Sequence, residues 1–133
     1  MNWIHWNSAL ETGHTILDTD HEQLADLING LTDSVKERRG EAACLDLLDK
    51  IIRQAEVHFA FEEQLMAEQR YPKANQHIAE HTRLLKQATR FMEKFESDAR
   101  ESHIPLIHFP EDWLTTHIVT SDRELAAFLS GAL

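Results

Sequence analysis

Only four glycines and three prolines interrupt 133 residues, and their spacing leaves room for little except long helices. Gly13, Gly40, the Tyr71-Pro72 pair, the stretch 97–110 and Gly131 divide the chain into an opening segment and four long blocks. An all-β chain would need turn signals every ~8–12 residues. The first block, about 18–39, starts with Asp18, Asp20 and Glu22 and ends with Lys36, Arg38 and Arg39 before Gly40. Acids first and bases last complement the helix macrodipole, and the glycine is expected to supply the stop. The second block, about 41–69, has neither Gly nor Pro; the third, about 72–97, opens on Pro72, which suits a first helical turn. Pro110, Glu111 and Asp112 open the fourth, about 110–129. Such a chain is expected to be all-α: an antiparallel up-down four-helix bundle, one domain over 1–133, with an N-terminal arm whose Trp3, Ile4 and Trp6 cap it.

Charge and apolar runs narrow the partners. Thirteen basic against 23 acidic residues give a net charge of −10, which argues against nucleic acid or an anionic membrane as partner. No apolar run approaches the ~18 residues of a transmembrane helix, so no membrane insertion is expected. No Lys or Arg precedes Lys36, so no basic leader region is expected either. Cys44 is alone, which excludes an internal disulfide and suits a small core residue in a reducing cytoplasm.

The 3–4 spacing of inward positions can be followed helix by helix. The seams run His21, Leu24, Ile28, Leu31, Val35; then Cys44, Leu48, Ile51, Ala55, His58, Glu62, Leu65; then His77, His81, Leu84, Ala88, Phe91, Phe95; then Trp113, His117, Ser121, Leu125, Phe128. Five histidines and a glutamate thus share the apolar stripes. One such histidine alone is best read as a packing residue. Six polar groups across four helices would cost roughly 1–3 kcal/mol apiece if buried unpaired. A shared cation removes that cost, because neutral imidazole and ionised carboxylate are both metal ligands. His58/Glu62 and His77/His81 are i, i+4 pairs, so each projects from one helix face. His5, His14, His103 and His108 lie outside the seams and suit surface or loop roles.

Read in order, His21, His58-x3-Glu62, His77-x3-His81 and His117-x4-Asp122 resemble the hemerythrin family, in its bacterial single-domain branch. GHTILDTDH at 13–21, HFAFEE at 58–63 and WLTTHI at 113–118 carry the same resemblance, which runs from about Trp3 to Leu125. It implies two iron ions: one on His77, His81 and His117, the other on His21 and His58. Glu62 and Asp122 would bridge them beside a solvent-derived oxo or hydroxo group. Over two octahedral ions this ligand set leaves one position open, on the iron of His21 and His58, where dioxygen would bind. Leu24, Phe59, Trp113, Leu114 and Ile118 stand where the family lines its oxygen pocket.

Asp122 does not follow from helix geometry. It lies five residues after His117, about 140° round an ideal helix, whereas Ser121 lies at i+4. Either a π-type widening interrupts the helix there or Asp122 reaches in from the flank. Catalytic di-iron bundles usually pair two Glu with two Glu-x-x-His motifs; five imidazoles and two carboxylates favour a binder over an enzyme. The expected function is reversible dioxygen binding for delivery, storage or sensing. The rivals are a di-iron enzyme reducing peroxide, oxygen or nitric oxide, and a sensor module acting through a partner. Expected partners are dioxygen and a redox or oxygen-consuming protein, the chain being a monomer or small homo-oligomer.

Overall fold

A computed structural model describes residues 4, 6–37, 39–97 and 115–131, and among these there is no strand. The chain is an all-α, up-down four-helix bundle. Helix α1 spans Thr15–Lys36, α2 Glu41–Glu68 and α3 Ala74–Ser97; α4 is described over 115–129. Side-chain partners show the alternating direction. His21, Gln23 and Gly30 climbing α1 meet His58, Gln54 and Leu47 descending α2. Lys73, in the turn before α3, pairs with Glu124 of α4, and along the two helices His77 pairs with Asp122 and Glu80 with His117.

The helix ends follow their local chemistry. Helix α1 begins three residues before the expected Asp18, because the His14 ring accepts the Leu17 N–H at 3.3 Å and acts as the N-cap. Asp18 instead reaches back from inside the first turn, accepting from the N–H and hydroxyl of Thr12 and the N–H of Gly13. The helix ends at Lys36, earlier than Gly40; that glycine, at φ 101°, turns the chain into α2. Helix α2 closes on a Schellman turn: the Tyr71 N–H donates to Met66 O at 2.9 Å and the Arg70 N–H to Ala67 O at 3.4 Å. Arg70 takes the left-handed position at φ 54°, where glycine is usual. Pro72 sits in the turn just before α3 rather than in its first helical turn.

The apolar seams are buried largely as expected. Leu24, Ile28, Leu31, Cys44, Leu48, Ile51, Ala55, Phe59, Leu84, Ala88 and Ile118 belong to one core cluster. The arm closes on it: Ile4 and Leu10 are buried, Trp6 is partly buried, and Asn29 clamps Ile4 through both its backbone N–H and C=O. A second cluster gathers Met66, Tyr71 and Leu125. There the buried residue of α2 is Met66, at i+4 from Glu62, with Leu65 turned to an intermediate position. Between the two clusters, along all four helices, lies a polar layer. Among the described residues no helix is long and apolar enough to cross a membrane.

Candidate metal centre

Each helix sends polar side chains into that layer. His21 comes from α1, His58 and Glu62 from α2, His77 and His81 from α3, His117 and Asp122 from α4, and none is more than 4% exposed. Asp122 reaches the layer through a π-helical turn, Ile118–Asp122, set within α4. The extra residue in that turn brings an i+5 position onto the face of His117, so the widening and not a reach from the flank places Asp122.

The seven side chains form two groups that share two members. Glu62, His77, His81, His117 and Asp122 each offer a ligand atom within 4.8 Å of the others, and so do His21, His58, Glu62 and Asp122. The carboxylates are divided between the groups. Glu62 Oε1 lies 2.9 Å from His81 Nε2 and 3.4 Å from His77 Nε2, while its Oε2 lies 3.4 Å from His58 Nε2. Asp122 Oδ1 lies 3.0 and 3.1 Å from Nε2 of His117 and His77, while Oδ2 lies 2.8 Å from His21 Nε2.

Hydrogen bonding alone does not satisfy this layer. Glu62 Oε2 and Asp122 Oδ2 have no aligned donor among the described residues despite the nearby nitrogens, and His117 Nε2 is likewise unpartnered. The Nε2 atoms of His21 and His58 face each other at 3.0 Å. Lone pairs converging on common points, with donors missing, fit cations. Three of the outward ring nitrogens support the same reading, while His21 Nδ1 is buried without a hydrogen-bond partner among the described residues. Nδ1 of His58 donates to Asp20 at 2.9 Å, that of His81 to Glu63 at 2.9 Å, and that of His117 to Glu80 at 2.5 Å. A proton held on Nδ1 leaves the Nε2 lone pair directed inward, as a ligating histidine needs. Asp20, Glu63 and Glu80 were not singled out from sequence. Their signal is position: each stands directly beside a seam ligand, yet each supports a histidine on the following helix.

Burial would drive these groups to their neutral forms, and their mutual attraction overcomes it. Burial pulls His77 down, but Asp122 and Glu62 hold it up at about 9. His58 and His117 are raised against the same penalty, the first by Glu62 and Asp20, the second by Asp122, Glu62 and Glu80. Asp122 falls to about 2: burial and the Glu62 charge push it up, and His117 and His21 outweigh them. Glu62 is held well below the usual carboxylate range by four histidines, again against burial. Without a metal, then, the layer favours protonated histidines beside ionised carboxylates.

The apolar residues expected around an oxygen pocket are partly visible. Leu24, Phe59 and Ile118 are buried; Trp113 and Leu114 lie outside the described residues, as do Trp3, His5, His103 and His108. The Phe59 ring neighbours His58 at 6.0 Å but lies flat on His81, centroids 4.0 Å apart, and so packs chiefly against the three-histidine group. A cavity of about 100 Å³, lined by Tyr71, Lys73, Gln76, His77, Glu80, Ser121 and Glu124, lies on that same side.

By fold and donor set this is a helical bundle of the class that buries a metal centre between its helices. The family profile described as the hemerythrin HHE cation binding domain matches residues 12–129, and the chain belongs to the hemerythrin family. It is similar to the bacteriohemerythrin of Pseudomonas aeruginosa strain PAO1, 26% identical over 122 residues that cover 92% of this chain and 78% of the relative. The bacteriohemerythrin of Aquifex aeolicus is 28% identical over 127 residues, covering 92% and 95%. A crystal structure of a leucine-to-phenylalanine mutant superposes with a TM-score of 0.87 at 27% identity, covering 98% of this chain and 99% of the other.

Proposed function

We propose that the chain binds dioxygen reversibly at a di-iron centre. His77, His81 and His117 would hold one iron and His21 and His58 the other, with Glu62 and Asp122 bridging. The observation that carries this reading is the division of both carboxylates, each giving one oxygen to each histidine group. Seven donors exceed what one octahedral ion takes, whereas two ions would use them all and, with a solvent-derived oxygen shared between them, would leave one position free on the side of His21 and His58. When bound, the iron pair supplies the electrons that hold dioxygen.

The chain's own residues set the conditions. Asp20, Glu63 and Glu80 orient three imidazoles and keep their Nε2 lone pairs inward. Leu24 and Ile118, both fully buried, keep water and its protons from the layer. Five imidazoles against two carboxylates in the metal groups favour a binder over an oxidase. Cys44, a single buried thiol, suits a cytoplasmic setting.

The test is optical. Anaerobically reduced protein exposed to oxygen and then purged should gain and lose the same visible bands over repeated cycles. One irreversible change, or steady turnover of peroxide, would favour the enzyme instead.

A further inference from the structure

We propose that Glu80 is a positioning residue that holds the π-helical turn of α4 in the register that brings Asp122 into the metal layer. One of its carboxylate oxygens accepts His117 Nδ1–H at 2.5 Å, and the other accepts the Ser121 hydroxyl at 2.7 Å. These partners are four residues apart on α4. The π-helical turn, Ile118–Asp122, begins directly after the first and contains the second. In a regular α-helix Ser121 would share the face of His117, and Asp122 would point ~100° further round. Instead Ser121 is turned aside to Glu80 and only partly buried, while Asp122 is fully buried against His21, His77 and His117.

A single side chain on α3 thus sets two things at once: the orientation of the His117 ring and the displacement that swaps Ser121 for Asp122. Asp20 and Glu63 each support one ring; Glu80 supports a ring and a turn. The inference rests on the reading that His117 and Asp122 hold metal. Glu80 itself, a quarter exposed, is not among the seven donors.

Metal titrations of the full chain with iron(II) and cobalt(II) test it, using the parent, Ser121→Ala, Glu80→Ala and Glu80→Gln. Glutamine keeps an oxygen for His117 and turns an N–H toward the Ser121 oxygen, so both contacts survive without the charge. Glu80→Ala should weaken metal binding by roughly 10–100-fold, Ser121→Ala by roughly a third to half of that on a logarithmic scale, and Glu80→Gln by no more than about threefold. The iron-loaded Glu80→Gln protein should also show a more positive reduction potential, because an amide leaves the His117 imidazole a poorer electron donor. A purely structural role would leave that potential unmoved. Glu80→Ala binding as tightly as the parent, or Glu80→Gln binding as poorly as Glu80→Ala, overturns the proposal. A parent that takes up no metal overturns the metal reading and this inference together; a loaded parent with unaffected variants overturns this inference alone.

Discussion

Glu62 and His81 touch at 2.9 Å, yet their removal should have different consequences. Glu62 faces both histidine groups, whereas His81 belongs to one. Glu62→Ala should leave the purified chain with little or no iron and a marked loss of stability, since metal binding to a buried site is part of its folding free energy. His81→Ala should retain a weakened centre. Metal analysis after dialysis checks this, and equal small losses in both variants would contradict the sharing of Glu62. Leu24 poses a different question, because it is not among the seven donors. It is fully buried one turn after His21, on the side where the free position is proposed. Leu24→Ala should cost about 2–5 kcal/mol as a core truncation. Leu24→Ser adds a hydroxyl that can partner water in the space left behind. With both irons kept, the oxygenated spectrum should decay faster in both variants than in the parent, and fastest in Leu24→Ser. A decay in Leu24→Ser no faster than the parent's would show that Leu24 does not guard the site.

Helix by helix, the acids form a relay in chain order: Asp20 on α1 supports His58 on α2, Glu63 on α2 supports His81 on α3, and Glu80 on α3 supports His117 on α4. The seams were legible because period 3.6 is imposed by burial, and six of the seven donors sit on that period. The supporting acids were not, since a carboxylate one step off the seam reads as solvated surface until the neighbouring helix is in place. Asp122 was legible only as an irregularity, because a π-helical turn has no local composition that announces it. The start of α2 at Glu41 was legible, but the start of α1 and the stop assigned to Gly40 were not: a histidine ring can cap, as His14 does, and Gly40 serves the start of α2 rather than the end of α1. Arg70 marks a strained end that can be relieved. Its φ of 54° in the Schellman turn costs roughly 1–2 kcal/mol for an L side chain, and glycine would return part of that against its greater unfolded entropy. Arg70→Gly should stabilise the chain by up to about 1 kcal/mol and so raise the denaturation midpoint, with metal content unchanged. A fall in the midpoint would mean that the arginine side chain contributes more than its backbone strain costs.

Across the whole molecule, the polar layer makes stability depend on whether protons or cations occupy it. In the metal-free chain His77 is raised from 6.5 to about 9, so its contribution is fully present below about pH 6.5 and is lost as pH rises through 9. Asp122 is lowered from 3.8 to about 2, so its contribution is present above 3.8 and lost as pH falls through 2. The metal-free bundle should therefore be most stable between these limits and melt at lower temperature from pH 6.5 to 9. Metal binding runs the other way, because each imidazole must give up its proton to ligate. Thermal melts of both forms across this range should show the metal-free midpoint falling while metal affinity rises. A metal-free midpoint flat from pH 6.5 to 9 would contradict the contribution assigned to protonated His77. The proposed centre is two ions held by seven side chains, in a core otherwise split into two apolar clusters. Native mass spectrometry of the protein expressed in iron-replete medium tests that claim most directly: the mass should exceed the chain's by two irons and their bridging oxygen, and a single bound metal, iron or zinc, would contradict it.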